Sequence, residues 1–363
     1  MKAGWQSSKL GQLCQLISGQ HIDSKDYNVE SRGVGYLTGP SDFGPLNPVI
    51  SKWTEHPKIK AKSGDILITV KGSGVGRINL LDQDGIAISR QLMAVRVKGA
   101  DPRFVHAFLS STFDHFQSIS TGAAIPGISR EQVLGLEIAI PPLPEQRRIV
   151  GILDEAFDGI ATAKANAEKN LQNAHALFES HLQAVFTQRG EGWSRTTVGE
   201  QVTLQRGFDI TKDQQKPGKV PVVSSGGVKS FHDTAMAHAP GVVLGRKGTL
   251  GKVFYLDEDY WPHDTTLWVK EFNGNDPRFV YYFFTSLDVV SLDSGTANPA
   301  LNRNQVHPIE VSWPPVSRQR AVAGKLDALR AQTQHLESIY RQKLAALDAL
   351  KKSLLHQAFT GVL

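Results

Sequence analysis

The sequence predicts an α+β protein that is an internal repeat. Two related globular domains are separated by an antiparallel, coiled-coil-like pair of long helices, in pseudo-two-fold order. Three observations predict it. Short matching segments recur in the same order in both halves. Each half carries apolar runs of strand length bounded by glycine. Each half ends in a helix-like segment of 44 residues, 144–187 and 317–360.

The repeat comes first because the rest depends on it. GWQSSKLG at 4–11 matches GWSRTTVG at 192–199, an offset of 188, and DPRFV at 101–105 recurs unchanged at 276–280, an offset of 175. Gly122, Pro126 and Arg130 match Gly295, Pro299 and Arg303 at an offset of 173. That offset then holds, aligning Gln146 with Gln319, Arg147 with Arg320, and Phe186-Thr187 with Phe359-Thr360. One short match could be chance; an ordered series with a constant late offset is a duplication. The drift from 188 to 173 places loop deletions near the start of the second copy. The bounds that follow are 1–142 and 189–313 for the globular domains, with helices in 143–188 and 314–363.

Within each copy, Asp65–Val70 and Gly241–Leu244 read as buried strands. A short core helix follows: Asp101 and Asp276 suit its N-cap, Pro102 and Pro277 its first turn, and Phe104, Phe108 and Phe113 point inward. In the long segments Pro144 suits a helix start, and Gly190 and Gly361 suit C-terminal caps. A heptad runs through the second segment. One seam takes Leu326, Thr333, Tyr340, Leu347 and Leu354; the other takes Leu329, Leu336, Lys343, Leu350 and Gln357. Shifted by 173, these become Leu153, Ile160, Ala167, Ala174 and His181, then Ala156, Ala163, Asn170, Leu177 and Ala184. Small residues thus face larger ones. Leu153, Ile160, Leu177, Leu326, Leu329, Leu336, Tyr340, Leu347, Leu350 and Leu354 are the expected helix-pair interface.

Composition narrows the function. Among 363 residues there is a single cysteine, Cys14, so no internal disulfide forms; burial as a small apolar residue is expected. No apolar run is long enough for a membrane helix, and the N-terminus lacks a signal peptide's apolar centre, so a cytoplasmic protein without membrane association is expected. The net charge of +5 is unevenly spread, with +3 in 1–142, −2 in 143–188, −1 in 189–313 and +5 in 314–363. An anionic partner must therefore meet local clusters. The opposite charges of the two helical segments favour their pairing.

Several motifs resemble chemistry and fail. Lys71–Arg77 is Gly-x-Gly-x-Gly after a strand, but another strand-like run, Ile78–Leu81, follows where a nucleotide loop needs a helix. Arg246–Lys252 departs from a P-loop in spacing and has Val253 where Ser or Thr is required. No HExxH, no Gly-x-Ser-x-Gly and no metal-ligand cluster is present, and His232 and His238 read as surface or capping residues. Asn47-Pro48 and Asn298-Pro299 lack the aromatic continuation of amino-methyltransferases. No catalytic, cofactor or metal residue is assigned. As hairpins approaching DNA, however, the loops make sense: glycine lets backbone N–H groups come near phosphate, and cations flank it. Lys71, Arg77, Arg90, Arg246, Lys247 and Lys252 are the candidate DNA contacts.

GDILITVKGSGVGR (64–77), TGAAIPGISREQVLGLEIAIPPLPEQRRIV (121–150), SGTANPALNRNQVHPIEVSWPPVSRQRAV (294–322) and LLHQAFTG (354–361) together resemble the specificity subunit of type I restriction–modification systems. The resemblance covers nearly the whole chain. In the second copy Ser317-Arg318-Gln319 departs from Pro-Glu-Gln, and Trp313 stands where the first has Ile140. The resemblance implies two target-recognition domains, each reading half of a bipartite site in double-stranded DNA, and a helix pair that sets the spacer. It implies two docked modification subunits using S-adenosylmethionine, restriction subunits using ATP and Mg2+, and no catalysis or cofactor in this chain. Two rival readings are a protein-binding adaptor without DNA readout and a catalytic DNA methyltransferase or nuclease.

Overall fold

A computed structural model describes residues 4–122, 125–187, 192–288 and 300–363. Gly190, Gly295, Asn298 and Pro299 lie outside them. The chain divides into two compact units, Met1–Ala167 with Lys343–Leu363, and Glu168–Gln342. Each globular part therefore takes a portion of both long helices, and neither helix forms a domain of its own.

Unit 1 runs through β1 (Gln6–Lys9), α1 (Leu10–Leu13), β2 (Cys14–Ser18), β3 (Val34–Leu37), β4 (Trp53–Thr54), β5 (Lys60–Ala61), β6 (Ile66–Thr69), β7 (Ile78–Leu80), β8 (Ile86–Ile88) and β9 (Leu92–Val97). Then come α2 (Pro102–Ser111), α3 (Phe113–Ile119), α4 (Arg130–Leu134), β10 (Glu137–Ile140) and the start of α5 (Leu143–Thr187). An antiparallel sheet has the order β2-β9-β6-β7, and a second sheet the order β4-β3-β8-β5 with β3 and β8 parallel. β1 pairs with β10, so the two ends of the globular part meet just before α5.

Unit 2 repeats this build with β11 (Ser194–Thr197), α6 (Val198–Gln201), β12 (Thr203–Arg206), β13 (Val220–Ser224), β14 (Gly227–His232), β15 (Gly241–Gly245), β16 (Val253–Leu256), β17 (Trp261–Pro262) and β18 (Thr266–Glu271). α7 (Pro277–Ser286), α8 (Arg303–Val306), β19 (Glu310–Trp313) and α9 (Val316–Thr360) complete the chain. The sheets are β12-β18-β15-β16, β14-β13-β17 and β11-β19. The shortening of the second copy is visible here: the long connection from β3 to β4 becomes a tight Ser225-Gly226 turn between β13 and β14.

The Pro-Pro…Gln signature has a structural meaning in both units. Gln146 is buried; its Oε1 accepts from the Asp101 N–H at 2.8 Å and its Nε2 donates to the Pro141 carbonyl at 2.8 Å. Gln319 repeats this with Asp276 at 2.8 Å and Pro314 at 2.9 Å. The glutamine thus ties the N-cap of the core helix to the start of the long helix. The caps form as expected: Asp101 Oδ1 accepts from Arg103 N at 2.9 Å, and Asp276 Oδ1 from Phe279 N at 2.9 Å. Trp313 is accommodated by donating its indole N–H to Asn275 Oδ1 at 2.7 Å, a bond that Ile140 at the matching place in the first copy does not need.

Phe104 and Phe108 are buried, but the helix breaks at Thr112, so Phe113 opens α3 and is only partly buried; Phe116 takes the inward place. Cys14 is buried, which pushes its thiol pKa up to about 12.

The long helices pack antiparallel within each unit. In unit 1 Lys164 of α5 meets Asp348 of α9 at 2.7 Å, and Phe157, earlier in α5, lies 4.9 Å under the ammonium of Lys351, later in α9. In unit 2 His175 meets Glu337 at 2.9 Å. One seam is buried, through Leu153, Ile160 and Ala167 in unit 1 and Ala174, Leu326 and Thr333 in unit 2. Tyr340, Leu347 and Leu354 of the same seam, and Leu329 of the other, are partly buried. The second seam is not closed: Leu177, Leu336 and Leu350 are 52%, 38% and 47% exposed. The helices bury one line of side chains between them, and residues three positions on, about 60° around the helix, stay at the solvent edge.

Phe359, near the end of α9, packs edge-on against Phe104 and Phe108 of α2 at 5.1 and 5.4 Å. Its repeat partner Phe186, near the end of α5, packs on Phe279 and Phe283 of α7 at 5.4 and 5.8 Å. Each long helix thus begins in the core of its own copy and ends in the core of the other.

Candidate nucleic-acid interface

Both glycine loops leave fully buried strands, β6 and β15, and return as β7 and β16. They are hairpins, and neither opens a helix. Each is pinned to the segment before the next short helix: Lys71 bridges Gly127, and Lys247 bridges Ala300, the matching residue. Gly72 and Gly248 have φ of +96° and +78° with no atom closer than 3.7 Å to an added Cβ, so conformation and not crowding selects glycine there.

Three of the glycine N–H groups expected to approach phosphate are used within the hairpins. The N–H of Gly72 donates to Pro126 O at 2.8 Å, that of Gly76 to Thr69 O at 2.9 Å, and that of Gly251 to Gly245 O at 3.2 Å. Those three donors are spent in holding the turns.

The side chains separate into groups. Lys71, Arg77, Arg90, Lys247 and Lys252 are exposed, and Arg246 is half-buried. Arg77 sits apart from Lys71, in a ≈ 290 Å³ recess with Pro40, Phe43 and Phe113. Lys252 lies 5.4 Å over the Phe254 ring. Arg246 enters a ≈ 680 Å³ cleft of unit 2 lined also by Gln205, Arg206, Asn302, Arg303 and Asn304. Arg206 and Arg303 were not among the expected contacts. They come from the end of β12 and the start of α8; the repeat could have hinted at Arg303, which matches Arg130, but not at Arg206, which matches Ser18.

The cleft's charges are partly matched. Arg206 Nη2 donates to Asp264 Oδ2 at 3.1 Å. Arg246 makes two long contacts, to Asp264 O at 3.4 Å and Asn302 Oδ1 at 3.5 Å. Burial first, and then the neighbouring Arg206, hold its pKa below the ordinary value, while Asp264 acts the other way. The floor requires a close approach: a Cβ on Gly207 would lie 2.1 Å from His263 O, and the matching Gly19 would clash equally with Ser89 O at 2.1 Å.

Asp209, His263 and Asp264 bring ligand-type atoms within 4.8 Å of one another, a grouping with no local sequence pattern. Two of them are committed elsewhere: Asp264 to Arg206, and His263 Nδ1 to Thr265 Oγ1 at 3.0 Å. With two arginines alongside, the group acts as counter-charge. His232 is buried, with Nδ1 accepting from Lys216 N at 3.0 Å; His238 is exposed and pairs with Asp259 at 2.9 Å. In unit 1 the residue matching Arg303, Arg130, donates to Ser18 Oγ at 2.8 Å and to Leu16 O at 2.9 Å.

Comparison with known proteins decides what this repeat is. A family model described as the type I restriction modification DNA specificity domain matches residues 2–172 and 190–345. The chain belongs to that family. As a specificity subunit, it is similar to the putative type I restriction enzyme MjaX specificity subunit of Methanocaldococcus jannaschii, at 29% identity over 47% of this chain and 40% of that one. It is also similar to the type I restriction enzyme MjaVIII specificity subunit of the same organism, at 21% identity over 98% of this chain and 92% of that one. In fold it resembles a chain from a structural study of complex assembly and conformational transition of the type I R-M system, with a TM-score of 0.85 at 17% identity, covering 99% and 98% of the two chains. The HsdS subunit from Thermoanaerobacter tengcongensis matches with a TM-score of 0.64 at 18% identity, covering 100% and 98%. Among the described residues no helix is long and apolar enough to cross a membrane.

Proposed function

We propose that each unit of this specificity subunit reads one half of a bipartite site in double-stranded DNA, while the long helices set the distance between the halves. The arginine- and amide-lined cleft beside the glycine loop of unit 2 carries this reading, because it pairs cations for phosphate with groups that match base edges. The exposed Leu177, Leu336 and Leu350 give the helices apolar surface for two modification subunits. In this reading the chain holds no catalytic centre. The modification subunits use S-adenosylmethionine to methylate adenine, restriction subunits use ATP and Mg2+, and the assembly works in the cytoplasm.

Mapping methylated adenines in DNA exposed to the chain and its modification partner tests the reading. A bipartite site is expected, and replacing residues 1–142 by a relative's equivalent should change one half only. A change in both halves would refute independent reading. Four residues inserted after Ala167, with four after Tyr340, lengthen each helix by ~6 Å, close to two base pairs. An unchanged spacer in that variant would refute the ruler. The chain alone with labelled S-adenosylmethionine should transfer no methyl group to DNA.

A further inference from the structure

Three arginines enter the unit 2 cleft, and Arg206 is the one that is held. Its side chain is 57% exposed, whereas that of its partner Asp264 is 19% exposed. The tip is presented outward on a fixed and largely buried anchor. Asp264 Oδ1 lies 3.0 Å from His263 Nδ1, the nitrogen that also meets Thr265 Oγ1. Arg246, by contrast, has no side-chain carboxylate within ion-pair distance among the described residues, and its two hydrogen bonds are long.

This difference separates two kinds of DNA contact. A phosphate attracts a cation from any direction, so it needs neither a fixed rotamer nor a carboxylate alongside, which would repel it. A base edge is directional. Guanine offers O6 and N7 as two adjacent acceptors, which match two donors of one planar guanidinium. Arg206, lining the cleft and held from behind by a carboxylate, presents such a fork.

We propose that Arg206, oriented by Asp264, is a specificity-determining residue that reads a guanine in the half-site recognised by unit 2. Arg246 is left to neutralise phosphate. The first copy has Ser18 at the matching place, with Arg130 turned inward onto it, so unit 1 does not make this contact. The inference rests on unit 2 reading DNA, as proposed above.

The test uses the full chain in complex with its modification subunits. Methylated adenines are mapped for wild type, Arg206→Ala, Arg206→Lys and Asp264→Asn, and DNA affinity is measured against salt. Arg206→Ala is expected to lose the G·C requirement at one position of one half-site, with discrimination there falling roughly ten-fold or more. The other half-site and the salt slope stay as in wild type. Lysine, a point charge, should not restore the requirement, and Asp264→Asn should relax the same position. Uniform weakening over all sequences, with the salt slope reduced by about one, would make Arg206 a phosphate contact and overturn the proposal. An unchanged methylation site would overturn it too. Failure of the underlying reading looks different: exchanging residues 189–313 would leave both half-sites as they were.

Discussion

Arg103–Asp154 in unit 1 and Arg278–Asp327 in unit 2 are the same ion pair, 2.9 Å long in each, yet their surroundings differ. In unit 2 Arg278 lies 4.3 Å over the Tyr255 ring, Asp327 also accepts from the Tyr282 hydroxyl, and Arg330 donates to the Tyr281 hydroxyl. In unit 1 the matching positions hold Ala107 for Tyr282, His106 for Tyr281 and Phe157 for Arg330. The framework that joins the core helix to the long helix is thus shared, while the chemistry around it has diverged. The clefts teach the same lesson. Arg130 bonds inward where Ser18 leaves room, whereas its counterpart Arg303 shares an open cleft with Arg206. The backbone framework and its caps repeat, while the side chains packed around them do not.

The largest expected effect tests whether the helices really exchange cores. Phe359→Ala should cost about 3 kcal/mol and raise hydrogen exchange in α2, leaving α7 unchanged. Phe186→Ala should do the reverse. If Phe359→Ala instead loosened α7, the crossing would be wrong.

A smaller effect separates His106 from Tyr281. Burial, then Arg103 and Lys351, lower the His106 pKa from 6.5 to about 4. Because the folded value is depressed, the neutral ring is fully favourable above pH 6.5, and stability falls as the pH drops from there towards 4. The loss is on the order of 2–3 kcal/mol. His106→Phe should remove that part of the acid sensitivity in denaturant melts at pH 7 and pH 4.5; an unaltered difference between the two pH values would rule it out.

The smallest effect concerns the shared ion pair. Asp327→Asn should cost about 1 kcal/mol, since it loosens Tyr282 as well as Arg278. Asp154→Asn should stay within about 0.5 kcal/mol, because that pair is half-exposed and burial already raises the Asp154 pKa. Equal costs would mean that the aromatic surroundings of unit 2 contribute nothing to the pair.

Much of this protein is carried by local pattern. The duplication, the strands around each glycine loop, the capped core helices and both long helices rest on spacing and composition, and those act over a few residues. The Pro-Pro…Gln signature is of this kind, although its purpose, tying Gln146 to Asp101 and Gln319 to Asp276, appears only in the fold. Heptad spacing also proposed two seams, and packing kept one. The pattern says which residues share a helix face, but the width of the contact depends on how closely the partner approaches.

What tertiary structure alone decided is which distant residues meet. By sequence, residues 143–188 belong to the first copy and 314–363 to the second. By packing, Phe186 completes the second core and Phe359 the first. The glycine loops were legible as charged hairpins, yet the cleft needed Arg206 and Arg303, brought beside Arg246 from other elements, and Asp264 to orient one of them. The physical reason is range. Periodicity, capping and turn chemistry are set by neighbours along the chain, whereas burial, charge pairing and the satisfaction of donors are set by whatever the fold brings within a few ångströms.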